Sequence, residues 1–337
     1  MTDFNVDLEQ EDMVDYEHPI PERIEGLVVQ LDTDVLCYHY ANLDDSFAEN
    51  LEALKEGILT KMIMCGASHV NSHTTAGTKN GREDAAMVKE YQCTRAKSKD
   101  PIKQARVKAL RHAIGIWTTH EQVTPMTWVG IEADDGMGIM QREDPENSVI
   151  MTVDKDLSMI EGEHCHLETY KRTTVPADFG HIELQVKKRV SPTTGKTSTE
   201  NKIVGYGKSF FWAQMLMGDT ADTIPGLLKI SGDDAEKYCP KKSPDKKRKP
   251  LACGVVTAWK CIETAKTELE IAIRVMQLYK NYYGDEYTFT TWRDDEITVS
   301  WRDMMYEQGH LLWMQRYPND SFKDYIREMA ANAIISK

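Results

Sequence analysis

Acidic side chains cluster in a short stretch near the middle of the chain. Residues 132–135 read Glu-Ala-Asp-Asp and residues 154–156 read Asp-Lys-Asp, with an apolar run between them. So many anions would repel one another and raise their own pKa values unless cations lay between them. Carboxylate oxygens suit Mg²⁺ or Mn²⁺ rather than zinc. The stretch predicts such a metal centre, although acids at a helix N-terminus are also favoured without metal.

Buried secondary-structure elements are expected to position these acids. The apolar residues 148–153 predict a strand buried on both faces, with Asp154 and Asp156 at its carboxyl end. Residues 26–31 predict a second buried strand, which leads into Asp32. A fold that joins parallel strand ends would bring the acids into one crevice. Two metal ions about 4 Å apart there could clamp both the attacking and the leaving oxygen of a phosphoryl transfer.

Four acidic groups in all are candidates for the metal site, and two of them lie at helix ends rather than at strand ends. Residues 132–135 open a predicted helix, and an apolar helix over residues 209–217 leads into Gly-Asp-Thr-Ala-Asp at 218–222. Asp34 follows Asp32 at the first strand end. The candidate metal ligands are Asp32, Glu132, Asp134, Asp135, Asp154, Asp156, Asp219 and Asp222.

Length and charge leave room for a nucleic-acid partner. The 337 residues can form one large domain or two modest ones. The net charge of −13 argues weakly against nucleic acid, but it is uneven. Residues 79–111 carry ten basic and four acidic side chains, and residues 237–249 carry seven and one, so both could track phosphates. Residues 1–25, with nine acids and one Arg, predict a disordered segment.

The cysteine and hydrophobic patterns indicate in which cell compartment the protein is expected to reside. The seven cysteines form no Cys-x-x-Cys pair, which fits a reducing cytosol and argues against a zinc ribbon. His164 and His166 flank Cys165 on a predicted strand, where neighbouring side chains point to opposite faces, so no metal site is expected there. The chain shows neither a long apolar run nor a signal-peptide pattern, and we expect a cytoplasmic protein without membrane contact.

The order of the motifs resembles that of the structure-specific 5′ nucleases, the flap endonuclease and 5′→3′ exonuclease family, and its bacteriophage members most closely. The resemblance covers roughly residues 26–262. Four motifs carry it: Leu-Asp-Thr-Asp at 31–34, Glu-Ala-Asp-Asp at 132–135, Asp-Lys-Asp-Leu at 154–157 and Gly-Asp-Thr-Ala-Asp-Thr-Ile-Pro-Gly at 218–226. Each motif is weak alone, but all four in this order are specific.

The resemblance implies an α/β fold with a central, mostly parallel sheet flanked by helices, a PIN-like nuclease core. It also implies a C-terminal helical region with a helix–two-turn–helix element, which in the family binds duplex DNA phosphates, often with a monovalent cation such as K⁺. Gly226 and Gly254 would lie in the two turns of that element. The basic insertion after the first turn adds four further candidate DNA contacts: Lys241, Lys242, Lys246 and Lys247.

Two segments resemble the base of the family's helical arch, through which a single-stranded end passes. They are Asn-Gly-Arg at 80–82 and Tyr-Gln-Cys-Thr-Arg at 91–95. Arg82 and Arg95 would neutralise the scissile phosphate, and Tyr91 could stack on an unpaired base. A solvated charged loop is the alternative interpretation.

The sequence departs from the family at two places. Gln92 replaces a lysine of the arch, so Lys89 or Lys97 would take its role. Residues 74–76, Thr-Thr-Ala, stand where the family has an acid after its second strand.

A Ser-, Thr-, Gly- and Lys-rich stretch at 191–202 predicts a loop.

The implied activity is a 5′→3′ exonuclease or flap endonuclease that uses two Mg²⁺ or Mn²⁺ ions on DNA with a 5′ end or a flap, in phage replication, recombination or DNA degradation. RNA primer ends remain open as substrates. We expect a monomer in the bacterial host cytoplasm. The expected organisation is an acidic segment (1–25), a nuclease core (26–208) with an arch-like insertion at about 76–116, and a helical DNA-binding region (209–337) with a basic loop at about 237–250.

Two other functions compete with this one. Asp-Thr-Asp-Val at 32–35 also fits the start of haloacid-dehalogenase-type phosphatases, in which Asp32 would be a nucleophile that forms an aspartyl-phosphate. That interpretation leaves the acids at 132–135 and the basic residues at 79–111 without a role. A non-catalytic DNA-structure-binding protein would be expected to have lost acids, yet nearly all remain.

Overall fold

A six-stranded sheet forms the centre of the computed structural model, which describes residues 19–79, 81–93, 100–190, 195–240 and 248–335. Its strands are β1 Ile24–Asp32, β2 Ala67–Lys79, β3 Val123–Gly130, β4 Ser148–Thr152, β5 Gly162–His166 and β6 Arg172–Val175. Their order is β3-β2-β1-β4-β5-β6, and the antiparallel β6 follows five parallel strands. The predicted α/β class with a mostly parallel sheet is confirmed.

Helices flank the sheet and fill the C-terminal region. They are α1 Thr33–Tyr40, α2 Phe47–Met64, α3 Arg82–Ala85, α4 Pro101–Gly115, α5 Ala133–Glu143, a 3-10 helix Lys155–Met159, α6 Lys208–Met217, α7 Gly232–Tyr238, α8 Val255–Ile262, α9 Glu268–Tyr283, α10 Trp301–Leu312 and α11 Phe322–Ile335. Short strand pairs are β9 Lys229–Ile230 with β10 Leu251–Ala252, and β11 Tyr287–Thr290 with β12 Glu296–Val299.

Strand β4 separates two hydrophobic cores, as its unbroken apolar sequence predicts. Val149 and Met151 pack in the core that also holds residues of α1, α2 and α4. Ile150 points the other way, into the larger core formed with α5, α6 and the C-terminal helices. Successive side chains of a strand alternate between faces, so burial of all five β4 residues requires a layer on each side.

Polar side chains of the sheet, His73, Trp128 and Gln30, form a hydrogen-bonded row beside helix α5. The buried His73 accepts a 2.9 Å hydrogen bond from the Trp128 indole at Nδ1, which leaves Nε2 to donate to Gln30 at 2.8 Å. Burial lowers the pKa of His73 to about 3, so it is neutral. Trp128 packs against Gly136 of α5, where a Cβ would lie 2.1 Å from the indole Nε1. Gly136 therefore allows the helix, which begins with the acids, to approach the sheet closely.

The second half of one predicted loop is a strand, and residues 191–194 of that loop lie outside the described ranges. β7 His181–Val190 pairs with β8 Thr197–Tyr206 in a two-stranded antiparallel hairpin, with Val190 opposite Thr197. The expectation of a loop over residues 191–202 is therefore wrong from residue 197 onward. Most of the ribbon faces solvent on both sides, so it lacks the alternating apolar pattern by which a strand is recognised. In the described part of the chain, no helix has the length and apolar character needed to cross a membrane.

Candidate metal centre

Asp32 and Asp154 are joined at the carboxyl edge of the parallel strands. Asp32 ends β1, caps α1 by accepting the Val35 N–H at 3.2 Å, and is 3% exposed. The Thr152 hydroxyl at the end of β4 donates to Asp32 Oδ2 at 2.8 Å and accepts the Asp154 N–H at 3.0 Å. One hydroxyl thus fixes both acidic segments relative to each other.

Helix α5 brings a second acidic group to the same edge. Its N-cap is Glu132, and Asp135 in the first turn accepts the Glu132 N–H, which forms a capping box. The Ala133 N–H donates to the Thr75 hydroxyl of β2 at 2.9 Å. The first turn of α5, which includes Asp134, is therefore attached to the end of β2.

Asp32, Asp134 and Asp154 form a group of carboxylates that make no ion pair within the described chain, although the charges of Arg111 and Lys155 oppose the rise in the pKa values of Asp32 and Asp154. Burial and the negative charge of Asp34 raise the pKa of Asp32 to about 6, and burial and Asp156 raise that of Asp154 to about 7. Burial, then Asp32 and Asp154, raise the pKa of Asp134 well above its ordinary value. No Lys, Arg or His among the described residues forms an ion pair with any of the three.

Asp34 reaches from the end of β1 to the end of β2. Its carboxylate accepts the N–H of Thr75 at 3.1 Å and lies 2.8 Å from the Arg111 guanidinium of α4. Burial raises the pKa of Asp34, and the charge of Arg111 opposes that shift. An acid from the first strand end therefore reaches the end of β2.

Asp156 and Asp219 form a separate, compensated pair. Lys155 Nζ lies 3.2 Å from Asp156 and in a close ion pair with Asp219. The Gln214 amide of α6 also donates to both carboxylates, at 2.6 and 3.3 Å. Asp222, the eighth predicted ligand, is partly buried and accepts hydrogen bonds from Gln92 at its carboxylate and its carbonyl.

Arg82 and Tyr91 lie in the interior rather than on an open arch. The Arg82 side chain is 1% exposed, pairs with Glu132 and Asp135, and donates to the Trp313 carbonyl at 2.7 Å. Tyr91 is 7% exposed, and its hydroxyl donates to Glu132 at 3.3 Å. Both side chains are thus buried among internal partners, and the predicted contacts with a phosphate and a base would require them to move.

The remaining residues predicted to contact DNA are partly exposed, partly buried and partly outside the described ranges. Lys89 and Gly254 are exposed, and Gly254 caps the N-terminus of α8 with open space around it. Gly226 is buried, and its N–H donates to Gln308 at 2.9 Å. Six predicted residues lie outside the described ranges: Arg95, Lys97, Lys241, Lys242, Lys246 and Lys247.

The donor set fits a hard divalent cation, although side chains would have to turn to ligate it. Among the residues that the structure describes, no three His, Cys, Asp or Glu side chains are already arranged to hold one ion. Several acids face internal cations instead: Glu132 and Asp135 face Arg82, and Asp219 faces Lys155. Asp32, Asp134 and Asp154, which form no ion pair with a described residue, are oxygen donors of the kind that Mg²⁺ and Mn²⁺ prefer.

Several residues of the site were not predicted. Thr152 ends an apolar strand and looked like one more β-branched core residue, and Gln214 lay within an apolar helix. Arg111 belongs to the basic segment, but the segment's charge does not indicate which residue faces Asp34. Lys155 stands inside the Asp-Lys-Asp motif, which was the available signal.

Solved structures of bacteriophage T5 proteins share this overall arrangement at low similarity. One is the T5 D15 flap endonuclease, in a variant complex with DNA and metal ions, at 11% identity and a TM-score of 0.42, covering 90% of this chain and 98% of that chain. Another is the T5 5′-exonuclease with bound zinc, at 12% identity and a TM-score of 0.42, covering 77% and 90%. No family model and no curated protein matches the chain.

Proposed function

We propose that this protein is a divalent-metal-dependent 5′ nuclease that hydrolyses DNA phosphodiester bonds near 5′ ends or at 5′ flaps. The observation that carries the proposal is the group of Asp32, Asp134 and Asp154, whose pKa values are all raised and none of which forms an ion pair with a described Lys, Arg or His. Since three neighbouring carboxylates repel one another when they are ionised, a bound cation accounts for their placement. The four motifs in their order specify the reaction class.

In this proposal Asp32, Asp134 and Asp154 hold Mg²⁺ or Mn²⁺, and Asp156, Asp219 and Asp222 serve a second ion. Two divalent ions supply charge neutralisation at the phosphate and an activated water. Thr152 orients Asp32 through its 2.8 Å hydrogen bond. Glu132 and Asp135, which pair with Arg82, hold the start of α5 in place.

The substrate side of the proposal rests on the basic segments. We assign the duplex phosphates to the exposed N-terminus of α8 at Gly254 and to the lysines at about 237–250. The predicted contact at Gly226 would require its buried N–H to leave Gln308. Lys89, Arg95 and Lys97 would meet the scissile phosphate or the single-stranded end. The same proposal divides the chain into a core (26–208) and a DNA-binding region (209–337), with K⁺ bound at the helix–two-turn–helix. It also includes action on RNA primer ends, a monomeric state and a phage role in the bacterial cytoplasm.

The proposal is tested by incubating the pure protein with a 5′-labelled duplex, a 5′-flap substrate and p-nitrophenyl phosphate, first with Mg²⁺ and then with EDTA. We expect cleavage of the DNA substrates with Mg²⁺, none with EDTA, and no release of nitrophenol. Asp32→Asn is expected to lose at least a hundredfold in cleavage rate. Asp285→Asn, a change at an exposed acid, is the matched control and should cleave normally. Full cleavage in EDTA would refute the metal assignment.

A further inference from the structure

Lys155 lies between two acids of the candidate metal centre. Its Nζ is 3.2 Å from Asp156 Oδ1 and forms a close ion pair with Asp219 Oδ2. The Asp219 and Asp156 side chains are 3% and 13% exposed, whereas that of Lys155 is 45% exposed. The ammonium therefore reaches two largely buried carboxylates from a side chain that remains accessible to solvent.

The two acids converge on this ammonium. Gln214 donates to the same two oxygens, Asp156 Oδ1 and Asp219 Oδ2, so the carboxylates are held toward each other from a second side. Asp219 also accepts the Ala221 N–H at 2.7 Å, which fixes its orientation. Such a convergence of carboxylate oxygens is the arrangement that a hard divalent ion uses, but here a side-chain cation lies at its centre.

The charge balance differs sharply between the two halves of the site. Burial would raise the pKa of Asp219, but the adjacent Lys155 ammonium holds it below its ordinary value. Asp154, only two residues from Asp156, has no ion-pair partner among the described residues. One half of the site thus has no ion pair within the described chain, whereas the other half already contains the Lys155 pairs.

We infer that Lys155 is a built-in counter-cation, which competes with a second divalent ion for Asp156 and Asp219. This inference rests on the proposed function and concerns how the site is filled. The chain binds one ion tightly at Asp32, Asp134 and Asp154, and it admits a second only when the Lys155 ammonium moves into solvent. A lysine side chain can make that movement because its four-carbon stem is flexible and its charge is readily hydrated.

The test counts Mn²⁺ bound to the full chain without DNA, by isothermal titration calorimetry and by electron paramagnetic resonance of free Mn²⁺. We expect the wild type to show one tight step and one weak step. Lys155→Met should tighten the weak step at least tenfold and leave the tight step nearly unchanged. Lys155→Arg keeps a cation and should retain a weak second step. Lys171→Met, the same change at an exposed lysine, is the control.

A second measurement needs no variant at position 155. Brief acetylation of the wild type, read by mass spectrometry, reports how accessible each lysine amine is. Mn²⁺ at concentrations that fill the weak step should increase acetylation of Lys155 and leave Lys171 unchanged. Unchanged acetylation of Lys155, or a Lys155→Met isotherm that superimposes on the wild type, would overturn the counter-cation role alone. If the wild type binds no Mn²⁺ in either step, the proposed metal centre falls with it.

Discussion

The Arg82 guanidinium lies 3.2 Å from the Asp135 carboxylate, in an ion pair whose side chains are 1% and 0% exposed. The same Asp135 oxygen accepts the backbone N–H of Gln315 at 2.9 Å, and Arg82 donates to the Trp313 carbonyl at 2.7 Å. A segment near the C-terminus therefore supports the first turn of α5. The acidic edge of the sheet depends on residues about 180 positions away in sequence.

Arg82→Met is expected to destabilise the protein by about 3–5 kcal/mol, because it leaves Glu132 and Asp135 buried without their cation. Urea unfolding at pH 7 measures the loss. Arg142→Met is the matched control, since Arg142 is 48% exposed and pairs with an exposed Glu161, and a surface pair contributes at most about 1 kcal/mol. If both variants are equally stable and only Arg82→Met slows single-turnover cleavage, Arg82 acts on the phosphate as the arch motif implies.

The raised pKa values of Asp32 and Asp154 predict how stability depends on pH without metal. A carboxyl whose pKa is raised on folding favours the folded state while it is protonated, and it loses that contribution as pH rises through its folded pKa. With EDTA present, the wild type should therefore lose stability between about pH 4 and pH 7, because the folded pKa values are about 6 and 7. Thermal unfolding from pH 4 to pH 8 measures the effect.

The Asp32→Asn variant isolates the contribution of one carboxyl. Its neutral amide cannot ionise, so its advantage over the wild type in EDTA should grow with pH and reach at most about 3 kcal/mol at pH 8. Asp285→Asn should follow the wild type at every pH. Mg²⁺ should stabilise the wild type more at pH 8 than at pH 5, because protons compete with the metal for the same oxygens. An Asp32→Asn advantage that is constant with pH would contradict the assignment.

The sequence was sufficient to predict the α/β class and the strand ends that carry Asp32 and Asp154, because both depend on local signals. The apolar run that forms β4 and the acids that follow β1 and β4 are visible in short windows. The partners of those acids were not predictable in the same way. Arg111 and Asp34 are 77 positions apart, and nothing near Gln315 in sequence indicates that its N–H binds Asp135. Arg82 matched an arch motif, yet its guanidinium is buried because two carboxylates compensate it there.

The basic loop is expected to determine salt dependence. Changing Lys241, Lys242, Lys246 and Lys247 together to Ala should weaken duplex binding regardless of sequence, because fewer counterions are released from the DNA. The slope of log K against log salt should become shallower by about 3 to 4 if each lysine neutralises one phosphate. Fluorescence anisotropy with Ca²⁺ in place of Mg²⁺ measures binding without turnover. The same four lysines changed to Arg should keep the slope, and an Ala variant with the wild-type slope would make the loop a linker.

The role of Asp32 separates the nuclease from the phosphatase. As a metal ligand, Asp32 helps to position water against the phosphorus, and no covalent enzyme intermediate forms. Asp32→Asn should then lose most turnover while keeping or tightening DNA binding, since the site loses a negative charge that faces the phosphates. Asp154→Asn should behave alike, and the double variant should lose little more than either single one, because both acids act through one metal site.

As a phosphatase nucleophile, Asp32 would instead carry a trappable phosphate. Its two carboxylate oxygens already accept the Val35 N–H and the Thr152 hydroxyl, which hold it as a fixed ligand would be held. Mass spectrometry of the wild type after incubation with p-nitrophenyl phosphate and Mg²⁺ should therefore find no adduct on Asp32. Thr152→Val removes the hydroxyl and should weaken the tight Mn²⁺ step severalfold, which a nucleophilic role does not require. An aspartyl-phosphate on Asp32, together with intact DNA substrates, would establish the phosphatase instead.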